Sequence, residues 1–275
     1  MKNFKYNLAI VSIMKYEEPY VEEWVRYHLI VGVKHFYIYD NNEDSYMKDV
    51  LKPYIEKGIV DLIPMYGDVK MFDAYNNSIW SYRDECKYIA YIDADEFIVP
   101  IQDVQADTVI EEIFNKYDSP NLGGLALRWQ VYGTGHHKTK PDGLMIENYL
   151  YKENGSLDIH VKQIVDPRMV HGWGNPHFPN YKEPQFYTID EDGNKVRGPF
   201  NKCGPRNLLR LNHYFYKSEE EFTKNRIKRG KCDRAVTEEY MEGFIAKQIE
   251  RMKNSNNEYD DLMLRYVDRV KNFKI

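Results

Sequence analysis

Asp93 and Asp95 flank a single alanine directly after the apolar run Lys87–Ile92. In an extended chain residues i and i+2 point to the same side. The two carboxylates therefore face one way, and Glu96 follows them. Asp40 ends a second apolar run, His35–Tyr39. Carboxylates gathered at strand ends are hard oxygen donors that suit Mg2+ or Mn2+, and such a cation in turn holds phosphate oxygens. Two solvated acids in a turn would also fit the bare D-x-D spacing. Ligands of open α/β sheets bind at the carboxyl ends of strands, and the second acid-ended strand favours the metal.

Other chemistries lack their residues. The turn after the first apolar run is Met14–Glu18, with no G-x-G-x-x-G, and no Walker sequence occurs anywhere. Any phosphate must then be held by metal and Lys or Arg rather than by a glycine nest. The eight histidines show neither H-E-x-x-H nor zinc-finger spacing. His213 lies on an apolar stretch, Leu208–Tyr216, either as a core residue or as a distant metal ligand. Lys224, Arg226, Lys228, Arg229, Lys231 and Arg234 form a basic run in a chain of net charge −5. It reads as a solvated helix face, as a site for a diphosphate or anionic acceptor, or as a peripheral membrane contact. It lacks the interleaved aromatics of single-strand grooves, so no nucleic-acid partner is expected.

The elements that must position these groups follow from periodicity. Leu8–Met14, His35–Tyr39, Ile59–Pro64 and Lys87–Ile92 read as strands, and the continuous apolar runs suit strands buried on both faces. Helices are expected between them, the first carrying Val21, Trp24, Val25, His28 and Leu29 on one face and ending at Gly32. This alternation predicts an α/β fold with a Rossmann-like, mostly parallel central sheet flanked by helices. The second half is less regular. Strands are expected at Gly123–Trp129, Met145–Tyr151, His160–Val165 and Leu208–Tyr216, and helices near Val109–Tyr117, Thr237–Met252 and Glu258–Val270. A Gly-, Pro- and Asn-rich connection fills Val170–Pro205. No repeat or clear linker appears. One domain over 1–275 is expected, in two halves, 1–120 and 121–275.

Composition sets bounds. Of 275 residues, 43% are hydrophobic, enough for a sizeable core, and the mean hydropathy of −0.68 argues against a membrane-embedded chain. Cys86, Cys203 and Cys232 are far apart, which fits a reducing compartment. The first apolar run is too short to span a membrane and is followed by Lys15, Glu17 and Glu18, the wrong flank for a signal peptide. A cytoplasmic protein is expected, at the inner face of the membrane if the basic run binds lipid. Twenty-four tyrosines suit binding clefts, or reflect composition alone.

Several stretches together resemble glycosyltransferase family 92 and its bacterial family-2-like relatives: Ala9–Glu18, Glu23–His28, Gly32–Asn41, Tyr91–Phe97, Trp129–Asp142, Lys162–Val165 and Leu211–Ser218. The resemblance implies a GT-A fold and a metal-dependent, inverting transfer of a sugar from a UDP-sugar donor, with galactose the expected sugar and Mn2+ (or Mg2+) the cation. A glycan or lipid-linked saccharide would be the acceptor, as in surface-polysaccharide synthesis. Carried over by position, Asp93 would contact ribose or metal, Asp95 would ligate the metal and His213 would complete its site. Lys15 and Asp40 would lie around uracil and ribose, with Arg83 and Lys162 as diphosphate or uridine contacts. Two positions depart from the pattern: Tyr16 stands where Asn is common, and Lys70 or Met71 where Gln is usual. An inverting displacement needs a carboxylate base. Glu147 is the first choice, then Asp142 and Asp261. A nucleotidyltransferase on a similar sheet and a non-catalytic glycan-binding protein are the alternatives.

Overall fold

The computed structural model describes residues 3–154, 159–229, 231 and 233–275, with the side chains of 225–229 left aside. The first half runs β1 (Tyr6–Met14), α1 (Glu18–Ile30), β2 (His35–Asp40), α2 (Tyr46–Glu56), β3 (Val60–Pro64), α3 (Met71–Tyr82), β4 (Cys86–Tyr91), β5 (Glu96–Pro100) and α4 (Ala106–Lys116). The second begins with β6 (Leu122–Val131), α5 (Met145–Asn148), β7 (Tyr151–Lys152), β8 (Val161–Val165), β9 (Val170–Trp173) and β10 (Pro179–Tyr181). It continues through β11 (Tyr187–Ile189), β12 (Lys195–Val196), β13 (Leu209–His213), α6 (Glu219–Arg229) and α7 (Glu238–Met252). It closes with β14 (Glu258–Tyr259), a 3-10 turn at Leu262–Tyr266 and α8 (Val267–Lys271).

The main sheet has the order β12-β11-β6-β8-β4-β1-β2-β3. Its first-half strands β3, β2, β1 and β4 are all parallel, and β8 then runs antiparallel to both β4 and β6. The α/β class and the parallel core expected of a GT-A fold are therefore present, and the second half is mixed. Strand β13 lies parallel to β6 and antiparallel to β5, so it carries β5 alongside the main sheet.

Alternation along β1 explains its unbroken apolar run. Leu8 and Ile10 join Phe36 and Ile38 under Trp24, Val25, Leu51 and Ile110 of the helices on one face. Ala9 and Val11 join Tyr37, Tyr39, Ile89 and Tyr91 under Met71, Tyr75 and Ile79 of α3 on the other. Each large side chain buried in these layers contributes about 1.5–3 kcal/mol. Gly32, at φ +103°, closes α1 where only glycine fits, since a Cβ there would stand 2.4 Å from Asp107 Oδ1.

Three expectations change. Many of the tyrosines build the core: Tyr27, Tyr37, Tyr39, Tyr54, Tyr75, Tyr91, Tyr132, Tyr149, Tyr214, Tyr216 and Tyr266 are all fully buried. The expected strand at Met145–Tyr151 is a single helical turn followed by two strand residues, because Glu147 folds back to accept the Leu144 N–H at 2.7 Å. The expected helix at Glu258–Val270 breaks into β14, the 3-10 turn and α8, where the Asp260 carboxylate binds Arg210 and the Leu262 N–H.

Candidate active site

Parallel strands end on one side of the sheet, and there the chain opens a cleft of about 430 Å³. Lys15 after β1, Asn41 after β2 and Asp93–Asp95 after β4 line its floor. Met71, the first residue of α3, lies beside them. The last third of the chain adds His213, Lys231, Asp233, Arg234, Phe244 and Arg251 to the lining. Near the floor Tyr16 (φ +60°) and Val69 (φ +56°) are left-handed. A β-branched residue adopts this conformation only under strain.

The acid turn is tightly organised. Asp93 Oδ1 lies 2.9 Å from Lys162 Nζ, and Glu96 Oε2 accepts the Asp93 N–H at 2.8 Å. Glu96 is completely buried, and burial pushes its carboxyl up to about 7 despite Lys162 3.8 Å away. Burial works against a charge on Lys162 as well, but Asp93 and Glu96 outweigh it and keep the amine protonated. Asp95 Oδ1 stands 3.5 Å from His213 Nε2. Burial lowers the proton affinity of this imidazole, but Asp95, then Glu96 and Asp93, raise it further, for a net upward shift.

His213 joins Asp95 because β13 pairs with β5 in a register that sets His213 opposite Glu96, and the Tyr214 N–H donates to the Asp95 carbonyl at 2.8 Å. The pair Asp95–His213 offers one carboxylate oxygen, a donor that suits Mn2+ or Mg2+, and one imidazole nitrogen. Among the described residues no three His, Cys, Asp or Glu side chains form a ready cage.

Lys15 lines the cleft 3.9 Å from Asp68 Oδ1, with its amine 5.7 Å from the centre of the Tyr16 ring. Asp40 is buried beneath the floor. Its Oδ1 accepts the Asn42 backbone N–H at 3.0 Å and the Asn42 Nδ2–H at 2.8 Å, so it shapes the loop whose Asn41 reaches the cleft.

Two expected site residues stand elsewhere. Arg83 follows the far end of α3, about 18 Å along the helix from the cleft residue Met71. Its guanidinium packs over the Trp80 ring, 4.6 Å from the ring centre. Glu147 is outside the cleft, bonded to Lys271 and the Leu144 N–H. Burial works the other way, but these two partners hold its carboxyl below the usual range, a poor setting for a base. Asp142 and Asp261 do not line the cleft either.

Sequence reasoning missed an aromatic wall. The Trp129 ring lies 4.2 Å from that of His213, 4.9 Å from His160 and 5.1 Å from His177. Burial, helped by neighbouring cations, pushes His160 down to about 4 and His177 to about 2, so both are neutral. His177 Nδ1–H donates to the Val161 carbonyl at 3.0 Å, which leaves Nε2 as an acceptor. Trp129 was visible in the W-Q-V-Y-G stretch, whereas nothing local marks His160 or His177. The basic run divides: Lys224 pairs with Glu220, and Lys231 and Arg234 face the cleft. The side chains of Arg226, Lys228 and Arg229, and the whole of Cys232, lie outside the described residues.

The family model described as Glycosyltransferase family 92 matches residues 11–247. The chain belongs to that family. A family 92 protein of Oryza sativa subsp. japonica is 22% identical over 142 residues, covering 50% of this chain and 24% of its own. One from Arabidopsis thaliana is 22% identical over 148 residues, covering 51% and 24%. The family 92 match thus spans about a quarter of the length of these relatives. Among solved structures, S. aureus TarS 1-349 in complex with UDP is 11% identical, with TM-score 0.41 over 59% of this chain and 47% of that one. No described helix is long and apolar enough to cross a membrane.

Proposed function

We propose that this family 92 chain is a metal-dependent, inverting glycosyltransferase that moves a sugar, galactose in the first instance, from a UDP-sugar to a glycan or lipid-linked saccharide. The observation that carries the reading is the Asp93–Asp95 turn at the sheet's carboxyl edge, with Asp95 beside His213 and Asp93 on Lys162 inside one cleft.

Asp95 and His213 would hold Mn2+ or Mg2+, with Asp93 beside them. The bound cation supplies charge neutralisation on the leaving diphosphate. Lys162, buried and protonated, orients Asp93 through their 2.9 Å contact and places a second positive charge near the phosphates. Lys15 and Asn41 line the part of the floor that suits the nucleoside. The neutral wall of Trp129, His160 and His177 offers flat apolar faces and a hydrogen-bond acceptor to a sugar ring. Attack from the face opposite the leaving group requires a base beside the acceptor hydroxyl. Asp233 lines the cleft, whereas Glu17 is tied to Lys217 at 2.6 Å and Asp68 lies beside Lys15. Asp233 would take the acceptor hydroxyl proton as that oxygen bonds to the anomeric carbon and UDP departs.

The deciding experiment titrates UDP into the protein with and without Mn2+, then follows UDP release from UDP-galactose, UDP-glucose and their N-acetyl forms. Metal-dependent binding and release are expected. A chain that binds no uridine nucleotide with any divalent cation is not this enzyme.

A further inference from the structure

Two turns at the cleft carry backbone that only glycine adopts freely. Tyr16 (φ +60°) stands between Lys15 and Glu17, and Lys217 (φ +53°) lies four residues after His213. One ion pair joins these turns. Lys217 Nζ lies 2.6 Å from Glu17 Oε2, and both residues are buried. Lys15, Glu17, His213 and Tyr216 line the cleft, so the pair bridges the turn after β1 and the segment after β13. The Lys217 amine also sits 4.5 Å from the centre of the Tyr20 ring. The Tyr20 hydroxyl donates to Glu221 Oε1, which attaches α1 to α6 independently of the ion pair.

Strand pairing does not set the distance between the two turns. Strand β1 pairs with β2 and β4, whereas β13 pairs with β5 and β6, so Lys15 and His213 follow strands that are not neighbours. The ion pair spans that gap. Resting on the proposed function, we infer that Glu17 and Lys217 are positioning residues, whose ion pair holds Lys15, on the nucleoside side of the cleft, at a fixed distance from His213 of the cation pair. Neither partner is free to leave, because removing one strands the other as a buried charge. Both left-handed turns are thereby held in place.

The test takes two readouts from Glu17→Gln, Lys217→Gln and the double variant of the full chain. The first is amide hydrogen exchange by NMR without ligand. It is followed at the Tyr16 N–H, bonded to Asn42 Oδ1 at 2.9 Å, and at the Ser218 N–H, bonded to Glu221 Oε2 at 3.2 Å. Glu17→Gln is expected to speed exchange at Ser218, and Lys217→Gln at Tyr16, each by about tenfold. The second is calorimetric affinity for UDP with Mn2+, expected to fall about tenfold in each single variant and no further in the double. The inference is overturned if each variant loosens its own turn alone, or if the double variant loses the product of the two single losses. It is also overturned if Glu17→Gln binds UDP as tightly as the parent or more tightly, as a pair that merely cancels charge requires. If Lys217→Gln does not fold, Glu17→Gln decides, since it keeps an amide beside the ammonium and leaves the Tyr20–Glu221 bond in place. If the parent binds no uridine nucleotide, the proposed function falls, and exchange alone decides whether the pair couples the turns.

Discussion

The indole Nε1–H of Trp24 donates to the backbone carbonyl of Glu96 across 2.8 Å, tying α1 to the first residue of β5. Tyr27 and His28 continue the brace: the Tyr27 hydroxyl donates to the Ile98 carbonyl at 3.0 Å, and His28 Nε2 accepts the Ile98 N–H at 3.2 Å. Strand β5 pairs with β13 on one side only. Its other edge would leave buried backbone groups unpaired, and one face of α1 satisfies them. The acid turn thus enters a strand fixed from both sides.

Trp24→Phe keeps an aromatic ring and removes the donor, leaving the Glu96 carbonyl without this partner and a small cavity beside it. The expected loss is about 1–3 kcal/mol in urea denaturation, with a raised KM for the donor. A variant as stable as the parent would show that this bond does not support the turn.

His28 gives a pH dependence with a definite sign. Its Nδ1–H donates to the Trp24 carbonyl at 2.8 Å and its Nε2 accepts from Ile98, so only the neutral ring fits. Burial pushes it down to about 3, against 6.5 for a free imidazole. The unfolded chain therefore binds the extra proton first. The stabilisation is complete above pH 6.5 and is lost as the pH falls toward 3, by up to about 5 kcal/mol. Neutral His160 and His177 add to the same trend. Denaturation curves of the parent and of His28→Gln between pH 8 and 4 isolate its share. The variant is less stable at pH 8 and shows a shallower acid slope. Equal slopes would refute the assignment.

Asp95→Asn and His213→Ala each remove one donor of the proposed cation pair. Mn2+-dependent UDP affinity is expected to fall about 100-fold or more in either, as read by calorimetry. Affinities within twofold of the parent would place the cation elsewhere.

Two acids separate the rival assignments of the base. Asp233→Asn is expected to lower kcat for transfer by about 10²–10⁴. Glu147→Gln, at its contact with Lys271 outside the cleft, leaves kcat within about twofold. The reverse pattern would restore Glu147.

The sequence showed β1 to β4 clearly, because strands covered on both faces must be apolar throughout, and it showed the D-x-D turn because two like charges stand out after such a strand. The likeness to family 92 brought Lys162 and His213 to the same place, and the β8 and β13 ladders put them there. Arg83 and Glu147 misled for a common reason. Each is a charged residue near resembling stretches, and which end of a helix it occupies, or whether its chain turns back after three residues, depends on contacts such as Glu147 with Leu144. The roles of Trp24, Tyr27 and His28 were hidden because an aromatic helix face looks apolar whether or not its polar atoms bond to a strand edge. The wall of His160 and His177 depends on pairing between distant strands, which no local spacing records.

Lys162 has a consequence for handling the protein. Its buried amine already offsets the carboxylates of Asp93 and Glu96, so the acid turn does not need a divalent ion to hold it together. Chelation should leave the melting temperature where it was and remove only the grip on nucleotide. The ion would then arrive and leave with each donor molecule, as cargo of the turnover cycle rather than as part of the fold.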